Sequence, residues 1–181
     1  MKFNETEIKG VYVIEPVVFH DCRGYFMETY NENEFKMNGL DYAFVQDNQS
    51  KSVRGVLRGL HFQKKFPQAK LVRVLQGEVF DVAVDLRKNS PTYGKWTGIV
   101  LSEKNRKMFL VPRGFAHGFL VLSDQAVFSY KCDDFYHPDD EGGILYNDPD
   151  IAVSWPLDGE IPILSEKDKK NPTLRESRME F

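Results

Sequence analysis

His61 stands in the run Arg58-Gly59-Leu60-His61-Phe62-Gln63, and Lys70 follows in Gln68-Ala69-Lys70-Leu71-Val72-Arg73. A second histidine, His117, lies in Pro112-Arg113-Gly114-Phe115-Ala116-His117-Gly118-Phe119, and Tyr130 and Tyr136 bracket Lys131-Cys132-Asp133-Asp134-Phe135. An imidazole titrates near neutrality, so it can take a proton and return it. A lysine ammonium beside a carbonyl oxygen stabilises the enolate that forms when a proton leaves the adjacent carbon. Losing one such donor typically costs on the order of 3–4 kcal/mol. A tyrosine, with an ordinary pKa of about 10, is a weak acid suited to a much more basic, carbanion-like centre. Base, oxyanion stabiliser and acid together suit proton abstraction next to a carbonyl. They name no substrate, and each residue has an ordinary role as well: a hydrogen-bonded strand histidine, a solvated lysine, a core tyrosine.

These groups work together only if strands position them. Lys70 to Gln76 and Glu78 to Leu86 are β-branched-rich runs joined at Gly77. In the second run Phe80, Val82, Val84 and Leu86 share one parity and Val79, Asp81, Ala83 and Asp85 the other, the period-two signature of a strand. Similar patterns cover Gly10 to Phe19, Gly98 to Leu101, Lys107 to Val111, Gly118 to Leu122 and Ala126 to Lys131. Asn89-Ser90-Pro91, Ser102-Glu103-Lys104-Asn105 and Ser123-Asp124 mark turns between them. Many short strands with regular turns predict a sandwich or barrel. Helix is scarce. Asn31 can cap a short one, with Glu34 at the third position and Gly39 ending it. The tail from Ser165 can form another, stopped before Pro172; there Ser165-Glu166-Lys167-Asp168 resembles a capping box, a purely structural reading of Asp168. A regular strand would turn Arg58 and His61 to opposite faces, unless Gly59 hosts a bulge that realigns them.

The chain has 181 residues, enough for one domain spanning 1–181 with a real core. A net charge of −3 gives no reason to expect nucleic acid as partner. The longest apolar run, Phe119-Leu120-Val121-Leu122, is far too short for a bilayer. The N-terminus lacks the apolar stretch of a secretory signal, so a cytoplasmic protein is expected. Cys22 and Cys132 show no metal or redox spacing and read as free thiols in a reducing compartment.

Pro112-x-Gly114-x-x-His117 resembles half of the cupin double-stranded barrel signature. Metal-binding cupins add two histidines one residue apart and a glutamate. Here the residue two beyond His61 is Gln63, position 59 is Gly59, no His-x-His occurs, and the chain holds four histidines in all. Three or four ligands are needed to hold zinc or iron, so no metal is expected. Three readings stand for His117: a pair with Asp81, a substrate contact, or a turn-fixing residue.

Taken in order, Asp21-x-Arg23-Gly24-Tyr25-Phe26-x-Glu28, Phe44-Val45-Gln46-Asp47-Asn48, Arg58-Gly59-Leu60-His61, Lys70-Leu71-Val72-Arg73, Gly114-Phe115-Ala116-His117-Gly118-Phe119, Asn147-Asp148-Pro149 and Ile163-Leu164-Ser165-Glu166-Lys167-Asp168 resemble the dTDP-4-dehydrorhamnose 3,5-epimerase family. The resemblance covers nearly the whole chain, and the order and spacing of the landmarks make it specific. It implies an all-β, cupin-type double-stranded β-helix or jelly-roll barrel with a few short helices, including a C-terminal one, acting as a homodimer without metal or redox cofactor. It implies inversion of C3 and C5 of a 4-keto-6-deoxyhexose on thymidine diphosphate, both carbons being acidified by the C4 ketone. By position, His61 resembles the base, Asp168 its orienting partner, Lys70 the enolate stabiliser, and Tyr130 the acid on the opposite face. Arg23, Phe26, Glu28, Gln46, Asn48, Arg58, Arg73, His117 and Tyr136 are substrate-contact candidates, some reaching in from the partner subunit. Arginine suits a diphosphate because its planar fork gives bidentate, charge-assisted bonds. Phe62, Arg113 and Tyr146 stand where the family varies or prefers other residues; none removes a proposed catalytic group. A relative inverting one carbon, or isomerising another nucleotide-linked ketosugar, would need the same base and ketone.

Overall fold

The computed structural model describes all residues, Met1–Phe181. Its strands are β1 (Lys2–Glu5), β2 (Tyr12–Glu15), β3 (Val18–Asp21), β4 (Gly24–Met27), β5 (Gln46–Val53), β6 (Leu57–Gln63), β7 (Lys70–Gln76), β8 (Glu78–Asp85), β9 (Trp96–Ser102), β10 (Met108–Val111), β11 (Phe115–Val121), β12 (Gln125–Cys132) and β13 (Glu141–Gly143). Two α-helices, α1 (Glu32–Met37) and α2 (Leu174–Ser177), and short 3-10 turns at Pro138–Asp140 and Asp168–Lys170 complete it. The first sheet runs β1-β2-β10-β7-β12-β5 and the second β13-β6-β11-β8-β9; β3 and β4 form a separate hairpin. The two sheets pack as the layers of a cupin-type, mainly β barrel.

Alternation along β7, β8 and β12 assigns residues to layers. Val72, Val74, Val79, Ala83, Phe109, Phe119 and Phe128 meet between the sheets as the main core. Phe80, Val82, Val84 and Leu86, of the other parity on β8, pack outward against the C-terminal tail through Trp155, Ile151 and Leu174. Both faces of β8 are therefore covered, so its outward residues are as apolar as its inward ones. The outer face of the first sheet is covered by α1, whose Phe35 packs with Ile14, Leu71, Met108 and Leu110. As the sequence predicts, the Asn31 side chain caps α1 by accepting from the Asn33 and Glu34 amides.

Two expectations needed correction, and one strand, β5, was not foreseen. Gly10 to Phe19 is two strands, because Pro16 interrupts the ladder between β2 and β3. β5 carries no apolar period: Gln46, Asn48, Ser50 and Ser52 lie opposite Cys132, Tyr130, Phe128 and Ala126, which gives the barrel a polar inner edge. The tail from Ser165 forms only the 3-10 turn Asp168–Lys170, and α2 begins beyond Pro172 with its own capping box, Thr173 and Glu176.

Of the two arrangements open to Arg58 and His61, the bulged one is present. His117 pairs with His61 and Phe119 with Arg58, so two steps on β11 face three on β6. The extra residue restores Arg58 and His61 to one side. Gly59 permits it: its φ is +135°, and a Cβ there would come within 2.6 Å of Gly118 Cα.

Candidate active site

The second sheet supplies His61. Its Nε2 lies 2.6 Å from Asp168 Oδ1, with the imidazole side chain 29% exposed and the carboxylate 5%. Ser165 Oγ accepts from the Asp168 amide at 3.0 Å, so the backbone half of the expected capping box forms, while the carboxylate turns to the histidine. Burial by itself would raise the Asp168 pKa; the hydrogen bond and charge of His61, with further bonds from Ser165 and the Gly59 backbone, bring it below the ordinary carboxylate value. Asp168 is therefore anionic at neutral pH, and can fix one imidazole tautomer and stabilise imidazolium.

His61, Asp168, Arg58, Glu141, Lys167 and Ile163 line one cavity of about 360 Å³. Arg58 reaches from β6 to β5, donating from Nε to Ser52 Oγ at 3.1 Å.

The first sheet supplies Tyr130 and Lys70 from its inner face. Lys70 Nζ sits 5.9 Å from the Tyr130 ring centroid. Burial pushes the Tyr130 phenol up, helped by Cys132, Glu141 and Tyr136 and opposed by Arg58, so it stays protonated. Burial also lowers the Lys70 ammonium, while Cys132, Asp81 and Glu141 favour its charge. Glu141 acts on both groups, and its own pKa responds to His61, which brings the four residues into one electrostatic neighbourhood.

Gln46, Asn48 and Tyr136 form the rim. Gln46 Nε2 donates to Asn48 Oδ1 at 3.1 Å, Gln46 Oε1 accepts from the Tyr136 amide at 2.9 Å, and the Tyr136 hydroxyl donates to Glu141 Oε2 at 2.8 Å. Asn48 Nδ2 also contacts the buried Cys132 Sγ at 3.7 Å.

Other candidates are engaged with other partners or lie elsewhere in the chain. His117 is buried and bonded through Nε2 to Asp81 Oδ1 at 2.9 Å, the first of its three readings. Arg73 has the parity opposite to Lys70 and lines a different depression from His61, with Thr29, Asp47, Met108 and Tyr130. Arg23 and Phe26 sit on the exposed β3–β4 hairpin, Arg23 bound to Asp21 and Phe26 69% exposed. Glu28 accepts from Asn31 Nδ2 just beyond it. Sequence reasoning missed Glu141, Ser52 and Lys167; no spacing or period singles them out. No group of three or more His, Cys, Asp and Glu side chains is placed to hold a metal ion.

The model of dTDP-4-dehydrorhamnose 3,5-epimerase matches residues 5–176. The chain belongs to that family. A dTDP-4-dehydrorhamnose 3,5-epimerase from Methanothermobacter thermautotrophicus is 59% identical, covering 97% of this chain and 96% of the relative. The crystal structure of the Legionella pneumophila dTDP-6-deoxy-D-glucose-3,5-epimerase, in complex with dTDP-4-keto-L-rhamnose, superposes with a TM-score of 0.94 at 48% identity, covering 99% of this chain and 97% of that one. A 3′-monoepimerase from Streptomyces bikiniensis, in complex with dTDP-quinovose, superposes with a TM-score of 0.88 at 34% identity, covering 96% and 88%. Like its family, the chain is an isomerase, an epimerase of the 3,5 type.

Proposed function

We propose that the cavity converts dTDP-4-dehydro-6-deoxy-D-glucose to dTDP-4-dehydro-L-rhamnose, with His61 as base and Tyr130 as acid. The observation that carries this reading is the bonded pair of His61, on the inner side of the second sheet, and Asp168, in the 3-10 turn of the tail, together with Tyr130 and Lys70 beside one another on the inner face of the first sheet. With Nε2–H donating to Asp168, Nδ1 keeps a free lone pair to remove the proton at C3 or C5. The electrons move to the C4 oxygen, where the Lys70 ammonium stabilises the enolate. Tyr130 then protonates the same carbon from the other face. Return of the proton by His61 alone would restore the starting configuration, so inversion needs two groups on two walls. Arg58, Gln46, Asn48 and Tyr136 orient the sugar nucleotide at the rim.

Arg23, Phe26 and Glu28 serve a second subunit's cavity in a homodimer, which accounts for their exposure here. The free thiols fit a reducing, cytoplasmic setting. No helix is long and apolar enough to cross a membrane.

The likeness to a monoepimerase supports a second reading, inversion at one carbon. Incubation with the ketosugar nucleotide in deuterium oxide separates the two. Deuterium entering at both C3 and C5 is the expected result; entry at one carbon establishes the second reading, and entry at neither overturns both.

A further inference from the structure

Glu141 opens β13, beside the strand that carries His61: Glu141 pairs with Gln63 and Gly143 with His61. Its carboxylate lines the cavity and has two partners from different parts of the chain. The Tyr136 hydroxyl donates to Oε2 from the loop after β12, and Lys167 Nζ forms an ion pair with the same oxygen. Lys167 is the residue before Asp168, in the turn that delivers the His61 partner. One carboxylate oxygen thus joins the two irregular segments that wall the cavity. Neither segment is held there by a strand ladder, so this joint bears directly on where Asp168 and Tyr136 lie.

We propose that Glu141 is the positioning residue of this site, a clamp that holds the Asp168 turn and the Tyr136 loop against the cavity and sets the local field in which the acid and the enolate stabiliser work. The proposal rests on the reading of the cavity given above. Its charged surroundings are Lys167 and Asp168 on the tail, Arg58 and His61 on β6, and Lys70 on β7. Tyr130 on β12 responds to its charge, Tyr136 on the loop bonds to it, and Asp140 precedes it in the chain. Burial would raise the Glu141 pKa, but Lys167, the Tyr136 hydroxyl and His61 bring it below the ordinary value, so the group is anionic at neutral pH. Burial is the main cause of the raised Tyr130 pKa and of the lowered Lys70 pKa; a fixed negative charge here adds to the first and offsets part of the second, favouring the protonated forms an acid and an enolate stabiliser require. Removing it lowers both pKa values, and the basic limb of the activity profile moves to lower pH.

The test uses Glu141→Ala, Glu141→Gln and Lys167→Met, the last breaking the clamp from its half-exposed end. Amide hydrogen exchange is read without substrate over residues 134–140 and 164–170, and kcat and KM are measured across pH. The expected results are faster exchange in both segments for Glu141→Ala and Lys167→Met, and a kcat about tenfold lower for Glu141→Ala with a smaller change in KM, within the range typical of a misplaced catalytic group. Glu141→Gln shifts the basic limb of kcat to lower pH, which loss of packing alone would not do. Unchanged amide exchange in both clamp variants, or an unmoved basic limb in Glu141→Gln, overturns the proposal. Should a His61→Asn protein still exchange substrate hydrogen, the base assignment fails separately, and the substrate-free amide exchange still decides the clamp.

Discussion

Three buried aspartates show how surroundings decide what a carboxylate does. Asp81 is fully enclosed; burial pushes its pKa up against the pull of His117, and its Oδ2 has no hydrogen-bond partner. Asp168 has a comparable lack of exposure, but its bond to His61 keeps it anionic at the edge of the cavity. Asp85 is purely architectural. It holds the turn after β8 by accepting from Arg87, Ser90 and Thr92 side chains and the Arg87 amide. Burial opposes its ionisation, yet those five bonds, two of them from the Arg87 guanidinium, bring its pKa down from 3.8 to about 2. A carboxylate whose folded-state pKa is depressed stabilises the fold fully above its unfolded value, and that stability is lost as pH falls through the folded one. Asp85 therefore contributes on the order of 2 kcal/mol above about pH 4, and the contribution disappears as pH falls to about 2. Asp85→Asn is expected to lower stability near neutrality by about that amount and to flatten the acid dependence in this window, as read by denaturant melts across pH. An unaltered acid slope would refute the assignment.

At the scale of elements, what the sequence made legible follows burial pattern. Runs with apolar residues at alternate positions, such as β8 and β12, are plain because one or both faces meet a core. The α1 helix is plain because its cap is a local interaction between Asn31 and the next turn. β5 is hidden because its inward residues face the candidate site: Gln46, Asn48 and Ser52 are polar where a strand pattern asks for apolar ones. The C-terminal tail misleads because Ser165 and Asp168 have cap spacing, whereas tertiary contact with His61 claims the carboxylate. Of the candidate site, the parts on β6, β7 and β12 follow from side-chain chemistry together with strand parity, once Gly59 adds its extra residue. Arg73 illustrates the limit of motif proximity: three residues from Lys70, it faces the other side of the sheet. Glu141 is illegible because its partners, Tyr136 and Lys167, come from irregular segments that no period predicts.

At the scale of the whole molecule, the barrel presents its groups from two walls and leaves a hairpin outside. Phe19, Tyr25 and Phe26 on that hairpin are 61%, 54% and 69% exposed, an apolar surface left largely open in the chain. If the hairpin completes a neighbour's cavity, Arg23→Ala and His61→Ala subunits complement one another. Each homodimer is impaired, and a mixed dimer holds one site with both residues intact. Mixing the two variants under exchanging conditions should restore activity to about half the wild-type value per mixed dimer, one site of two being intact; no recovery would show that Arg23 and His61 serve the same protomer or that Arg23 is dispensable. The central claim is that His61 and Tyr130 work on opposite faces of one carbon. The most direct measurement follows solvent deuterium incorporation and net inversion side by side in Tyr130→Phe. Abstraction by His61 survives in that variant while delivery from the other wall is lost, so inversion should fall by about 10²-fold or more and hydrogen exchange by much less. Exchange and inversion falling in equal proportion would contradict the account.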